Sequence, residues 1–161
     1  MSKCYLTEFG LVELADEVLE TLNRHRQLDS LSHEAGGQLF ARFEADRMRI
    51  LQATEPTSKS RRGRTYFWPS RREEQREIES LYAQGLHYVG DWHSHPEPYP
   101  EPSPDDIHKI EGIYAKSKHD LNCILMLIVG ASEDAEGLWV GSASKAGVTR
   151  AALTEDIDHE G

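Results

Sequence analysis

The apolar residues of this chain fall into short runs whose period changes along the sequence. Between Leu11 and Leu28, the residues Leu11, Leu14, Val18 and Leu22 recur three and four apart, which predicts an amphipathic helix. Runs at Gln38–Glu44 and Arg47–Glu55, joined at Ala45-Asp46, predict two strands, and Tyr66–Trp68 predicts a short one. Pro69-Ser70 leads into a helix from Arg71 to Gln84 that Gly85 ends. The aromatic and β-branched start of Leu86–Ser94 predicts a buried strand. A helix over Ser103–Lys118 follows, with Ser103 as N-cap, Pro104 at the first helical position, and Asp105 and Asp106 in the first turn, where carboxylates suit the helix dipole. Its apolar stripe is Ile107, Ile110, Ile113 and Tyr114. Further strands are predicted at Asn122–Val129 and Leu138–Ser144, with another near Val148–Leu153. Helices mixed among strands predict an α+β fold.

Size and charge narrow the function. The 161 residues suit one domain with a single core, over 1–154, and the acidic end at 155–161 reads as a frayed tail. No apolar run is long enough to span a membrane, and the first residues lack the apolar centre of a signal peptide. Two isolated cysteines form no disulfide framework, so a reducing cytoplasm is the expected home. The formal net charge of −10 argues against nucleic-acid binding. Against that background stands a basic cluster of Lys59, Arg61, Arg62 and Arg64, followed by Arg71 and Arg72. It reads either as a solvated loop or as a substrate-contacting loop drawn to an acidic partner.

The chemistry sits at the end of the Leu86–Ser94 strand. His93 and His95 are two apart, so on a strand they face the same way and can pinch one metal ion. Asp106 follows after a ten-residue gap and supplies an oxygen ligand from a rigid helix start. Two histidines and one carboxylate leave an open position, the arrangement of a catalytic zinc site. The candidate base for its water is Glu34, ahead of a strand and followed by Gly36-Gly37, which let a backbone pass close to a neighbour. Other zinc chemistries lack parts. His33-Glu34 begins like a zincin helix but position 37 is Gly, and no Pro-Cys-x-x-Cys pair exists for a nucleobase deaminase. Cys123 lies in an apolar run, where a free thiol is inert. His25, His87, His108, His119 and His159 show no partner pattern.

Glu34, His93-Ser94-His95-Pro96 and Ser103-x-x-Asp106 together resemble the JAMM signature of the JAB/MPN metalloproteases. Arg26-Gln27, Ala53-Thr54-Glu55-Pro56 and Tyr88-Val89-Gly90-Asp91-Trp92 extend the likeness to the short prokaryotic members, over roughly Gln27 to Val129. Those are often encoded beside E1- and E2-like enzymes in bacterial defence operons, CBASS-type ones among them. The resemblance implies a mixed sheet flanked by helices, of cytidine-deaminase-like architecture. It implies Zn²⁺ on His93, His95 and Asp106, Glu34 as base and proton carrier, and Ser103 as donor to the oxyanion. It implies an isopeptidase or endopeptidase cutting after the C-terminal tail of a ubiquitin-like protein or its conjugate, with E1/E2-like enzymes and a cyclic-nucleotide synthase as associated partners. Processing of a sulfur-carrier protein or of small peptides is the alternative, and a non-catalytic scaffold a third. Arg61, Arg62 and Tyr99 are the candidate substrate contacts. The Pro-rich loop around Tyr99 reads equally as a cleft wall or a stiff connector.

Overall fold

The computed structural model describes residues 2–29, 31–64, 66–116 and 121–154. The chain opens with a hairpin, β1 (Lys3–Thr7) and β2 (Gly10–Leu14), followed by α1 (Asp16–Arg24). The predicted helix over Leu11–Leu28 is thus too long at its start. Leu11 and Leu14 fit a helical stripe, but Val12 and Leu14 also alternate inward, and β2 pairs along both edges, with β1 and with β4. Ladders on two sides satisfy more backbone than one extra helical turn can. Only Val18 and Leu22 of the predicted stripe remain on the helix, both buried.

The next strands are β3 (Gly36–Phe43), β4 (Arg47–Ala53) and the two-residue β5 (Arg61–Arg62) and β6 (Phe67–Trp68). Helix α2 (Arg71–Tyr82) starts at Ser70, whose hydroxyl accepts from the Glu73 N–H, and is followed by Gly85 at φ +86°. Strand β7 (His87–Ser94) leads through the Pro-rich loop to α3 (Pro104–Lys116). The last predicted residues of that helix lie outside the described residues, as does the acidic tail. Strands β8 (Ile124–Val129), β9 (Leu138–Ser144), β10 (Gly147–Arg150) and β11 (Ala152–Leu153) complete the chain.

Nine strands form one mixed sheet in the order β10-β9-β8-β7-β3-β4-β2-β1-β11. The β2–β4 and β7–β8 pairs are parallel; the others are antiparallel. Both faces are covered near the middle, so all six residues of β8 are buried. Leu125, Leu127 and Val129 pack in the core that holds Val18 and Leu22 of α1. Ile124, Met126 and Ile128 pack with Ile110 of α3. Helix α2 contributes Leu81 to a smaller cluster with Phe40 and Leu86. This is an α+β fold with three α-helices among the described residues. None of these helices is long and apolar enough to cross a membrane.

A bulge shapes the centre. Leu39 pairs with Gly90 and Phe40 with Tyr88, so Val89 is an extra residue in β7. The shift turns Tyr88 to the same side as Asp91, and its hydroxyl donates to Asp91 Oδ1 at 3.0 Å. Two glycines allow close approach here. A Cβ on Gly37 would lie 2.0 Å from the Thr54 carbonyl oxygen, and one on Gly90 would lie 2.1 Å from that of Leu125. Gly90→Ala should therefore force β7 from β8 and lower stability by about 1–3 kcal/mol, the usual cost of overpacking, read as a fall in the urea midpoint.

Candidate metal centre and cleft

His93 is the last residue but one of β7, His95 follows the strand, and Asp106 lies in the first turn of α3. The His95 N–H donates to the Val129 carbonyl at 3.0 Å, which continues the β7–β8 ladder and keeps both imidazoles on one side. His93 Nε2 and His95 Nε2 are 3.2 Å apart. Asp106 Oδ2 is 3.1 Å from His95 Nε2, and Asp106 Oδ1 is 3.3 Å from His93 Nε2. Donors at about 2.0–2.1 Å from a tetrahedral centre are separated by about 3.3 Å. These spacings, His95 to one Asp106 oxygen and His93 to the other, are those of neighbouring donors in such a shell, and the three side chains can hold a metal ion.

The surrounding bonds fix each donor. The Ser103 hydroxyl accepts from the Asp106 N–H at 3.0 Å, while the Ser103 N–H donates to Asp106 Oδ2 at 2.8 Å. This reciprocal cap holds the Asp106 carboxylate at the helix start. His95 Nδ1 lies 3.0 Å from Glu97 Oε1, which orients Nε2 toward the triad. Burial pushes the His93 imidazole below its ordinary range, against the pull of Asp106, and so favours the neutral form that binds metal. Burial also disfavours the Asp106 carboxylate, but hydrogen bonds from His93 and His95 outweigh it and hold its pKa far down.

Glu34 lies just ahead of β3 and lines the same cleft as His93 and Asp106. Its backbone is gripped from three directions. The Glu34 N–H donates to the Gly63 carbonyl, and Arg62 Nε donates to the Glu34 carbonyl at 3.0 Å. The next N–H, of Ala35, donates to Ser94 Oγ at 2.9 Å, and the Ser94 hydroxyl donates to Gln27 Oε1 at 2.7 Å. Ser94, between the two histidines, is fully buried and Gln27 nearly so. Burial lifts the Glu34 carboxyl above its ordinary value, with His95 opposing and Asp106 and Glu97 adding to the rise.

The substrate-contact candidates are placed differently from one another. Arg62 turns to the Glu34 backbone, whereas Arg61 is exposed. Tyr99 is exposed, and its hydroxyl donates to Asp134 Oδ2 at 3.1 Å. The Pro-rich loop is braced to the loop after β8: the Ala131 N–H donates to the Glu97 carbonyl, the Ser132 N–H to that of Pro98, and Arg26 Nη1 to the carbonyls of Gly130 and Ser132. His25, assigned no partner from sequence, lies with Nε2 2.8 Å from Glu55 Oε1. Cys123 is buried, and burial pushes its thiol up to about 11.

Sequence reasoning missed the inner part of the cleft, where Glu74, Asp91 and Lys109 meet. Asp91 alone carried a signal, being two residues before His93 on the same strand face. Burial, then the charge of Asp91, raises Glu74 to about 7, while Lys109 opposes. Burial raises Asp91 to about 6, with Lys109 again opposing. A carboxyl whose folded pKa is raised adds stability at low pH and loses it as the pH climbs through the folded value. Glu74→Gln should accordingly melt higher than the parent at about pH 8 and lose that advantage by about pH 4, as followed by thermal unfolding.

Residues 16–140 match the family described as prokaryotic homologs of the JAB domain. A protein of Escherichia coli (strain TW11681) is 32% identical over 138 residues, covering 83% of each chain. One from Enterobacter hormaechei is 36% identical over 116 residues, covering 70% of this chain and 62% of its own. Both carry the name CD-NTase/cGAS isopeptidase. A solution structure of a Desulfitobacterium hafniense protein shares the fold with a TM-score of 0.59 at 20% identity, covering 85% of this chain and 87% of that one. Another, from Salinibacter ruber, has a TM-score of 0.52 at 19% identity, covering 89% and 88%. With the family match spanning most of its length, the chain belongs to the prokaryotic JAB-domain family.

Proposed function

We propose that this protein is a zinc-dependent JAMM peptidase that hydrolyses the amide after the C-terminal tail of a ubiquitin-like protein or its conjugate. The observation that carries this is the donor triangle of His93, His95 and Asp106, at 3.1–3.3 Å spacing, in one cleft with Glu34. The relatives' name, CD-NTase/cGAS isopeptidase, supports an isopeptidase acting on conjugates that involve a CD-NTase, and we place it in a bacterial antiviral pathway with E1/E2-like partners. The free cysteines and a chain without a membrane-crossing helix among its described residues are in keeping with work in the cytoplasm.

His93, His95 and Asp106 would hold the ion. Zinc, when bound, supplies Lewis-acid chemistry, polarising a carbonyl and acidifying water to a pKa of about 7. Glu34 removes the proton from the attacking water and then delivers it to the departing amine. Its partial burial brings its affinity for that proton nearer the working pH, as a group that both takes and gives it requires. The fixed backbone of Glu34 keeps the carboxylate aimed while its proton state changes. Ser103 spends a lone pair on the Asp106 N–H, so its own O–H proton remains to be donated to the oxyanion. The tail lies extended along the cleft.

Purified unchelated protein is expected to carry one zinc per chain, and His93→Ala or His95→Ala to lose it, by metal analysis. Glu34→Gln should keep the metal yet cut a reporter fused after the tail about 10²–10⁴-fold more slowly, the usual weight of a general base. A near-normal rate for that variant would give the role to another carboxylate. Fusions of a ubiquitin-like protein and of a CD-NTase to the same reporter should be cut faster than an unstructured peptide of the same tail, because the folded body supplies remote binding energy. Equal rates would point to a small-peptide hydrolase.

A further inference from the structure

The cleft does not end at the donor triad. Beyond His93 and Asp106 it continues between α2 and α3, over the face of β7 and β8. Its cavity of about 100 Å³ is far too small for a folded partner. A cavity of about 150 Å³ holds a benzene ring, so this one suits a single side chain. The inner chamber has two kinds of lining. Phe67, Ile113 and Met126 form an apolar wall, and Glu74 and Asp91 place two carboxylates beside it.

Lys109 is the cation of the chamber, and it does not neutralise the pair. Among the described residues it is ion-paired to neither carboxylate and acts on them only through space. Lys109 itself is exposed on α3, so its ammonium can turn to solvent on a flexible stem. Glu74 and Asp91 lie close enough to act on one another in this partly enclosed space, and Lys109 and Arg71 offset Glu74 only through space. Burial first, and the charge of Asp91 second, raise Glu74 to about 7. A cation arriving on an apolar stem would offset that charge and would cover the apolar wall at the same time.

We propose that this chamber is a specificity subsite for one basic side chain of the polypeptide substrate, a lysine or arginine flanking the scissile amide. Glu74 and Asp91 receive the cation, and Phe67, Ile113 and Met126 pack the aliphatic stem. The substrate part of the inference rests on the peptidase reading above. A chain whose scissile carbonyl sits at His93 and Asp106 has the mouth of the chamber beside it, because those two residues line both. Lys109, which acts on both carboxylates through space, competes with the substrate cation for them.

Two measurements test this, one without catalysis. The zinc-loaded protein is titrated with n-butylammonium and with neutral n-butanol, and amide shifts are followed by two-dimensional NMR. Butylammonium should saturate shifts around Asp91, Ile113 and Met126 and bind about tenfold more weakly to Glu74→Gln or Asp91→Asn, as loss of a charged hydrogen bond implies. Next, fusion reporters carrying Lys, Met or Glu at the residues flanking the junction are compared. Lys should exceed Met by about tenfold in kcat/KM, and Glu should be poorest. The Lys-to-Met ratio should fall toward one in Glu74→Gln and rise in Lys109→Met; a change in stability alone would leave that ratio where it is. Equal binding of butanol, shifts elsewhere on the protein, or a ratio near one in the parent overturns the subsite. Binding in the chamber with no reporter cut at all overturns the peptidase reading and removes the substrate assignment with it.

Discussion

Strand β7 is hydrogen-bonded along both edges, antiparallel to β3 and parallel to β8, and the rest of the site depends on that double pairing. A strand held on both sides cannot rotate, so its side chains alternate strictly between the two faces. Trp92 and Ser94 are sent inward, Trp92 into the core shared with α1 and Ser94 to the buried Gln27. Asp91 and His93 go to the other face, and the His95–Val129 bond carries the alternation one step past the strand. A slip of one residue would bury the histidines and expose Trp92. The bulge at Val89 is tolerated because it lies before this stretch, and it supplies the Tyr88 hydroxyl to Asp91.

The same strand also carries the link to Glu34. Ser94 belongs to β7 by its backbone and to the Glu34 loop by its hydroxyl. Metal donors and proposed base are therefore two sides of one hydrogen-bonded unit, although 59 residues separate Ala35 from Ser94. The small hairpin of β5 and β6 completes the grip through Gly63 and Arg62. This gives the basic cluster an internal structural part at Arg62 and leaves Arg61 on the surface. Elsewhere, Arg26 braces the loop after β8, which in turn supports the Pro-rich loop.

Charge in the cleft is organised by distance from the triad. Asp106, beside two imidazoles, is the carboxylate most firmly ionised. Glu34, Asp91 and Glu74 all have pKa values raised by burial, so each takes a proton more readily than a surface carboxylate would. The site thus sets one firmly ionised carboxylate apart from carboxyls that take up a proton more readily. Low local dielectric strengthens both behaviours.

The sequence by itself determined the elements with strong local signatures. These are β3, β4 and β7, the start of α2 after Ser70, the Ser103 cap, the continuous apolar run of β8, and the shared strand face and helix start that carry the three candidate metal donors. It misjudged Leu11–Leu14 because four residues fit both periods, and only pairing with β1 and β4 chooses between them. Glu34 was legible as a candidate through its motif, but its fixation was not. Gln27, Arg62-Gly63 and Ser94 meet there from three separate segments, and no local pattern records such a meeting. The chamber of Glu74, Asp91 and Lys109 was not legible for the same reason: its members lie on α2, β7 and α3, and only Asp91, two residues before His93, carried a signal. Periodicity and capping act within a few residues, so the chain states them directly. Contacts that close over tens of residues exist only once the sheet has brought its strands into register.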